Sequence, residues 1–592
     1  MGYIGAIRVV MRDEPSRRFA HQLEQLLRQS LPINGLAVLI GIAAGLAAVA
    51  FRWFLYAVNN LFFHQDVSIG FVPPLEHGLG WLVVLVPAAG GLLVGLITTY
   101  MAPETKGHGV PEVMEAIAMR GGRIRPMVVL AKALASGFCI GSGGSSGREG
   151  PIVQMGSAAG SALGQLFDLS SRDIKVLVGC GAAAGITATF NTPLAGVVFA
   201  IELILLEFRT KSFVPLVISS VIATVISRLV LGSEPAFAIP AYAFAHPVEL
   251  IFYLVLGLAA AGVGVLLIEA LYNAEDVFDR WAAHPVIKPI VGGLALGVIG
   301  LAFPQVFGVG YESVDAILSQ DIGEVGLGLM AFLIVLAGVK TIALSLTLGS
   351  GGSGGVFAPS LFIGAALGGA FGVLVNLLFP GVTAPYPAYA LVGMAALFSA
   401  ASRATFTSIL MLFEMTGDYN IILPLMFACV VADVVAWHLY RDTIYTKKLE
   451  RRGIHVDHDL EVNVMRTRFV RDIMVTDVRT VPPWMTLRHV RRLVLESGHH
   501  GFPVVDDDGK LVGIVTGQDI NRAIRTRRGG RDLPVKDVAH RDLVVGHPDE
   551  TLDAVWERMR LNGVGHLPVV DRADRRRLVG YLTKGDLIRG RT

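Results

Sequence analysis

GSGGSSGREGP at residues 141–151 and GSGGSGGVFAP at 349–359 agree at seven of eleven positions, and each proline is followed five residues later by a glycine, Gly156 and Gly364. A second pair follows in the same order: GAAAGITATFNTPLAGVVFAIEL (181–203) beside GMAALFSAASRATFTSILMLFEM (393–415), with Glu202 opposite Glu414. The offsets, 208 and 212 residues, are nearly equal, so one half of a long region echoes the other. Self-similarity of this kind sets architecture before any local reading does. The sequence alone leaves open whether the halves run parallel or inverted.

The repeats lie in the apolar part of the chain. Of 592 residues, 53% are hydrophobic, the mean hydropathy is +0.59, and charged residues are scarce before about residue 440. Segments near 35–57, 79–101, 214–232, 248–270, 286–303 and 326–347 are each long enough to cross a hydrocarbon core, which takes about 20 residues. Shorter runs broken by Gly or Pro, at 152–164, 193–206 and 356–370, suit discontinuous helices whose free backbone faces protein or a cavity. The expected fold is an all-α polytopic membrane domain with broken helices, followed by a smaller α/β region.

Charge placement orients it. Stretches 60–78, 233–247 and 304–325 contain no Lys or Arg, whereas Arg120, Arg123 and Arg125 cluster after 117. The N-terminal arm carries Arg8, Arg12, Arg17, Arg18 and Arg28 with no apolar core before residue 35, unlike a cleavable signal peptide. Basic segments face the cytoplasm by the positive-inside bias, so a multi-pass protein of the plasma or inner membrane is expected, with both ends cytoplasmic. A net charge of +2 suggests no nucleic-acid partner, and Cys139, Cys180 and Cys429, all in apolar segments, read as buried thiols without a disulfide or metal framework.

The glycine loops have a chemistry. Glycines let successive N–H groups converge on one point, and a helix beginning there adds its positive dipole end. Such turns bind anions. Partial charges from two halves hold a dehydrated anion without the full counter-charge that would stop it leaving. Tight helix packing alone also uses glycines. A carboxylate at membrane depth is costly, however, and is a functional group by default. Glu149 is itself an anion, able to occupy the site and to leave when protonated or displaced, which makes it a gate. Repeated halves fit transport proteins, whose sites lie between the repeats.

GREGP, GVFAP, GHGVP (107–111) and Tyr445 together resemble the CLC chloride channels and transporters over roughly residues 35–450. The resemblance implies an inverted repeat and a homodimer in the lipid bilayer with one pore per subunit and chloride, or a related anion, as the bound ion, no other cofactor being required. It places the gate at Glu149 and the anion contacts at Gly147, Arg148, Gly150, Gly355, Val356, Phe357 and Ala358. Val356 and Phe357 would donate backbone N–H groups and Tyr445 its phenol. Two departures stand out. His108 replaces the serine of the common GSGIP, giving either a ring N–H donor with a physiological pKa or a ring turned aside while a backbone amide serves. Leu203 follows Glu202 where proton-coupled relatives carry a second glutamate, and Leu passes no proton. Glu207, beside Phe208 and Arg209, fits the membrane edge better than a replacement. Passive conduction is therefore the first expectation and Cl−/H+ exchange the alternative.

After 450 a further pair appears, FPVVDDDGKLVGIVTGQDI (502–520) and LPVVDRADRRRLVGYLTKGDLI (567–588), with helical patterns before each at 486–497 and 551–562. These resemble tandem CBS domains. The expected organisation is an arm at 1–34, a transport domain at 35–450, a linker at 451–469, and CBS modules at 470–527 and 532–592. The resemblance implies ribose-contacting acids at Asp519 and Asp586 and phosphate contacts at Thr516 and Thr583, with an adenine nucleotide as candidate ligand. Both acids also suit helix capping, with the pair merely supporting the dimer. The basic run 525–531 reads as a solvated linker, His499, His500 and His566 as turn residues, and Glu112 and Glu115 as the first turn of a helix.

Two other classes fare worse. GGSSG (143–147) and GGSGG (351–355) fit the Gly-x-Ser-x-Gly hydrolase pattern but lack its strand–turn–helix setting, so no enzyme is expected. A CBS-containing Mg2+ transporter would need converging carboxylates, and its resembling members carry the CBS pair before the membrane region.

Overall fold

The computed structural model describes residues 14–590 apart from 71, 75–77, 207–209, 233–246, 455–467, 498–499, 527–529 and 531; for 14–32, 210 and 588–590 it describes the backbone alone. Arg8, Arg12, Glu207, Phe208, Arg209, His499 and most of the basic run at 525–531 therefore lie outside the described side chains. The chain divides after Leu449 into two compact units.

The first unit is helical. Its first half contains α1 (Glu14–His64), α2 (Leu85–Tyr100), α3 (Val110–Met119), α4 (Met127–Gly141), α5 (Glu149–Leu166), α6 (Ser171–Phe190), α7 (Pro193–Phe199) and α8 (Thr210–Leu231). The second half contains α9 (Glu249–Arg280), α10 (Ile287–Ala302), α11 (Tyr311–Ser319), α12 (Leu327–Gly349), α13 (Phe357–Leu378), α14 (Tyr386–Ser402), α15 (Thr405–Thr416) and α16 (Ile422–Leu439), followed by α17 (Thr446–Arg451). Each helix of the first half has its counterpart eight helices later. Eight of the described helices are long and apolar enough to span a membrane.

Glycine lets these helices approach one another. An added methyl on Gly181 of α6 would lie 1.9 Å from the carbonyl oxygen of Gly156 in α5. The equivalent pair, Gly364 of α13 and Gly393 of α14, leaves 2.4 Å in either direction. Backbones pack this closely in membranes only where side chains are absent. The same contacts correct two segment expectations. The run at 356–370 extends to Leu378, long enough to span, because its glycines seat against α14 rather than ending the helix. The segment at 286–303 forms a helix of only 16 residues, α10, about 24 Å long and short of a hydrocarbon core of about 30 Å.

The second unit contains α18 (Leu487–Ser497), β1 (Gly501–Val505), β2 (Leu511–Thr516), α19 (Gly517–Thr526), α20 (Leu552–Leu561), β3 (His566–Val570), β4 (Leu578–Thr583) and α21 (Lys584–Gly590). β1 pairs antiparallel with β2, and β3 with β4, each with a register shift one residue before the end of the first strand. The modules exchange edges: Val475 pairs with Tyr581 of β4, and Ile514 of β2 with His540. Leu511, Val545 and Val570 form a small apolar cluster joining them.

Candidate anion site

The two glycine loops that open the repeat meet each other. Gly147 N–H donates to the Gly355 carbonyl at 2.7 Å, and Gly355 N–H donates back to the Gly147 carbonyl at 2.5 Å. These residues are equivalent in the two halves, so the reciprocal antiparallel bridge lies where a pseudo-two-fold axis must pass. Helices α5 and α13 start from either side of it. Their N-caps, Arg148 and Val356, have helical backbone angles and make no side-chain capping bond, which leaves first-turn N–H groups available to a ligand. By contrast, α6 is capped by its Ser170 hydroxyl at 3.2 Å from Asp173 N. Pro151 and Pro359 sit in the first turns of α5 and α13, where a missing N–H is harmless.

Glu149 is 1% exposed, and its carboxylate is turned toward the second half. Oε2 accepts from Ala358 N–H at 3.4 Å, and Oε1 accepts from the Tyr311 phenol at 2.6 Å. Arg148 stacks its guanidinium over the Tyr311 ring at 5.2 Å. Gly150 is pressed against the His108 carbonyl, leaving 2.1 Å for a methyl, which ties the GHGVP turn to the start of α5. The His108 ring is buried between Tyr272 and Tyr445, at centroid distances of 6.2 and 6.3 Å. Tyr272 donates to the Ile444 carbonyl at 2.7 Å and so fixes the residue before Tyr445. Phe357 packs between Phe190 and Phe398. All nine expected anion-contact residues and Glu149 therefore belong to one buried neighbourhood of the first unit.

Three further features were not anticipated. Tyr311 is one. Another is a pair of fully buried lysines at equivalent positions of α4 and α12. Lys132 donates to the Thr105 and Gly107 carbonyls at 3.0 and 2.8 Å, and Lys340 to those of Val306 and Gly308 at 3.0 and 3.1 Å. Each lysine thus braces the Gly-x-Gly turn of its own half, GHG at 107–109 and GVG at 308–310; their spacing of 208 residues, the offset of the glycine loops, is a signal the sequence held. The third is the use made of Glu202 and Glu414. Glu202 accepts from the N–H groups of Phe406 and Thr407 at the start of α15, at 3.1 and 2.8 Å. Glu414 accepts from Leu194 and Ala195 at the start of α7, at 3.0 and 2.7 Å. Leu203, 2% exposed, lies in the π-helical turn Ala200–Leu205 that continues α7.

The family profile described as "Voltage gated chloride channel" matches residues 90–437, and that of the CBS domain matches 470–526 and 535–591. The chain is 37% identical over 421 residues to the chloride channel protein ClcB-like of Ralstonia nicotianae, covering 70% of this chain and 96% of that protein. It is 30% identical to chloride channel protein CLC-f of Arabidopsis thaliana, over 94% of this chain and 81% of that protein. The chain belongs to the voltage-gated chloride channel, or CLC, family. The crystal structure of a slow cyanobacterial Cl−/H+ antiporter superimposes with a TM-score of 0.63 at 27% identity, covering 71% of this chain and 97% of that one. A eukaryotic CLC transporter shares the fold over 94% of this chain, with a TM-score of 0.63 at 20% identity. Chloride transport, not catalysis, is the activity of the CLC family.

This CLC chain ends in the CBS pair, whose candidate nucleotide residues form two matching capping boxes. Asp519 Oδ2 accepts from the Thr516 N–H and hydroxyl at 3.0 and 2.5 Å, while Thr516 Oγ1 accepts from Asp519 N–H at 3.3 Å. Thr583 and Asp586 repeat this at 2.9, 2.6 and 3.3 Å. Burial pushes the Asp519 carboxyl up, but the Thr516 bonds and His540, 3.2 Å from Oδ1, outweigh it and hold the group below its ordinary value. One oxygen of each acid is thus engaged in capping its own helix.

Proposed function

We propose that the first unit conducts chloride passively, and that Glu149 is its gate. One observation carries this reading. A carboxylate is already docked between the Tyr311 phenol and the first turn of α13, in the place the amide turns make for an anion. Glu149 then competes with chloride for that position and vacates it when protonated or displaced. The N–H groups of Arg148 and Gly150 on one side and of Val356, Phe357 and Ala358 on the other stabilise the ion, with His108 and Tyr445 below it, while Gly147 and Gly355, whose own N–H groups close the bridge, bring the two turns together. No full positive charge is needed at the constriction. Leu203 stands where a proton-passing acid would be needed, and Glu202 is committed to capping α15. Coupling to protons by that route is therefore absent.

A second reading is Cl−/H+ exchange by another proton route. The likeness to the cyanobacterial Cl−/H+ antiporter favours it. Full-length protein in liposomes, given a chloride gradient at equal pH, separates the two: passive conduction dissipates the gradient with no proton movement, and uphill proton uptake overturns it. Glu149→Gln is expected to raise flux and flatten its pH dependence; unchanged flux and pH profile would remove Glu149 from the gate.

The protein is read as a homodimer with one pathway per subunit, its N-terminus and CBS pair in the cytoplasm. The two capping boxes support a structural role for the CBS pair. Nucleotide sensing is the second reading there, favoured by the matched Thr-x-x-Asp turns. A rise in melting temperature with ATP or AMP would establish it, since a ligand of the folded state must stabilise that state.

A further inference from the structure

Of the two bonds that hold the Glu149 carboxylate, the phenol of Tyr311 makes the tighter by far, 2.6 Å against 3.4 Å for the Ala358 amide. The amide distance is at the long end of the range and contributes little; the phenol distance is that of a strong bond to an ionised acceptor. Both oxygens accept, as an ionised carboxylate does, and protonation would turn one of them into a donor. Tyr311 is itself held. It opens α11 immediately after Gly310, whose φ of +86° admits glycine readily. The turn before it is braced by Lys340 on the Gly308 carbonyl, and its ring lies beneath Arg148.

Tyr311 also has a distinctive place. It lines a cavity of about 330 Å3 with Arg52, Tyr56, Arg148, Glu312 and Asp315, and Glu149 is not among the lining residues. Several lining residues, Pro74, Phe307, Gly308 and Asp315 among them, come from the stretches without Lys or Arg, so the cavity opens on the outer face. Tyr311 stands between that outer space and the carboxylate.

We propose that Tyr311 is the latch of the gate: its hydroxyl positions the ionised Glu149 side chain in the anion site, and releases it when the carboxylate is protonated. This rests on the reading of Glu149 as gate and adds the residue that sets how firmly it closes. The groups that face the carboxylate are Arg148 on its own turn, Tyr311 with Glu312 behind it on α11, Lys340 of α12 behind Glu312, and Tyr445; α13 carries no titratable side chain. Of these groups, Tyr311 donates a side-chain hydrogen bond to Glu149.

The test is chloride efflux from liposomes holding full-length protein, measured from about pH 4.5 to 8.5 for wild type, Tyr311→Phe, Glu149→Gln and the double variant. Phenylalanine keeps the ring under Arg148 and removes the hydroxyl, with its bond to Glu149 and its contact with the Arg148 side chain. Losing a bond to a charged acceptor is expected to raise flux about tenfold where the gate is mostly shut, and to move the midpoint of acid activation up by about one pH unit. In the Glu149→Gln background the Tyr311→Phe change is expected to do nothing more. The latch is overturned by a Tyr311→Phe profile that superimposes on wild type, or by an equal effect of Tyr311→Phe with and without the Glu149 carboxylate. An inert Glu149→Gln removes the gate itself, whereas an active Glu149→Gln beside a silent Tyr311→Phe removes the latch alone. Should Tyr311→Phe fail to insert, 3-fluorotyrosine at 311, a stronger donor of the same shape, is expected to move the midpoint down; no shift overturns the proposal.

Discussion

Replacing Gly147 by alanine separates the place of the gate from its charge. A methyl built on Gly147 would stand 2.2 Å from Glu149 Oε2 and 3.2 Å from both the nitrogen and the Cβ of Ala358. Gly147 is not among the positive-φ glycines, so alanine brings no backbone strain there. Atoms of this size rest at roughly 3.5 Å, so the methyl overlaps the carboxylate oxygen by about 1.3 Å and Ala358 by only a few tenths. The oxygen ends a flexible side chain and can move, whereas the helix start needs only a small adjustment. The fold is therefore expected to survive within about 2 kcal/mol. The carboxylate, however, is expelled. If its oxygen marks an anion position, a chloride is shut out by the same methyl. Gly147→Ala should then lower chloride efflux at least tenfold, about 1.4 kcal/mol, at every pH, opposite in sign to Glu149→Gln. The assay is the same liposome efflux, with size-exclusion and thermal profiles to establish folding. Wild-type flux, or a rise like that of Glu149→Gln, would refute the coincidence of gate and anion site.

Lys132→Met and Lys340→Met each leave two buried carbonyls without their donor, and each should lower thermal stability by about 2–4 kcal/mol, since an unpaired buried group costs about 1–3 kcal/mol; denaturation of the detergent-solubilised protein checks this. Asp519→Ala and Asp586→Ala remove the acid of the capping boxes that open α19 and α21, leaving the Thr516 and Thr583 N–H groups without their acceptor, with an expected loss of about 1 kcal/mol each in the stability of the CBS unit, read by hydrogen exchange over β2 and β4. His566, stacked on Tyr581, is pushed below its ordinary value by burial and by neighbouring His500. Its unfolded form therefore binds protons more readily. Stability of the CBS unit should be fully present above about pH 6.5 and fall as pH drops below it, and His566→Asn should flatten that dependence in thermal unfolding.

What could be read from the sequence was whatever the backbone demands. At the bridge a side chain on Gly147 would meet the Glu149 carboxylate and one on Gly355 the Gly150 backbone, so the glycines survive in both halves and expose the repeat. Glu149 stood out as a candidate gate because a carboxylate after such a loop has few other uses. Tyr311 was not legible. It lies 162 residues from Glu149, and a tyrosine after Gly-Val-Gly reads as the start of a helix, which it also is. Glu202 and Glu414 were visible as a matched pair, but that each caps the other half's helix depends on a folding together that no local pattern records. Helix length was misjudged at 356–370, because glycine weakens a helix in water and strengthens its packing in a membrane.

The symmetry also separates structural residues from functional ones. Gly147 and Gly355, Lys132 and Lys340, and Glu202 and Glu414 are kept in both halves, and each makes the same kind of contact twice. The positions given roles in transport have no such match. Aligning the glycine loops (offset 208), the Gly-x-Gly turns (offset 201) and the second repeated pair (offset 212) sets Glu149 against Phe357, Tyr311 against Val110, His108 against Val309 and Leu203 against Met415. An anion path related to itself by a two-fold axis would present the same groups from either face. In the proposed pathway the outer approach carries a carboxylate and a phenol, and the inner approach an imidazole and a second phenol. The scaffold supplies two equivalent amide turns, and the unmatched side chains make the two directions of entry chemically different. A gate that responds to outside acidity needs that inequality. The symmetric scaffold cannot provide it.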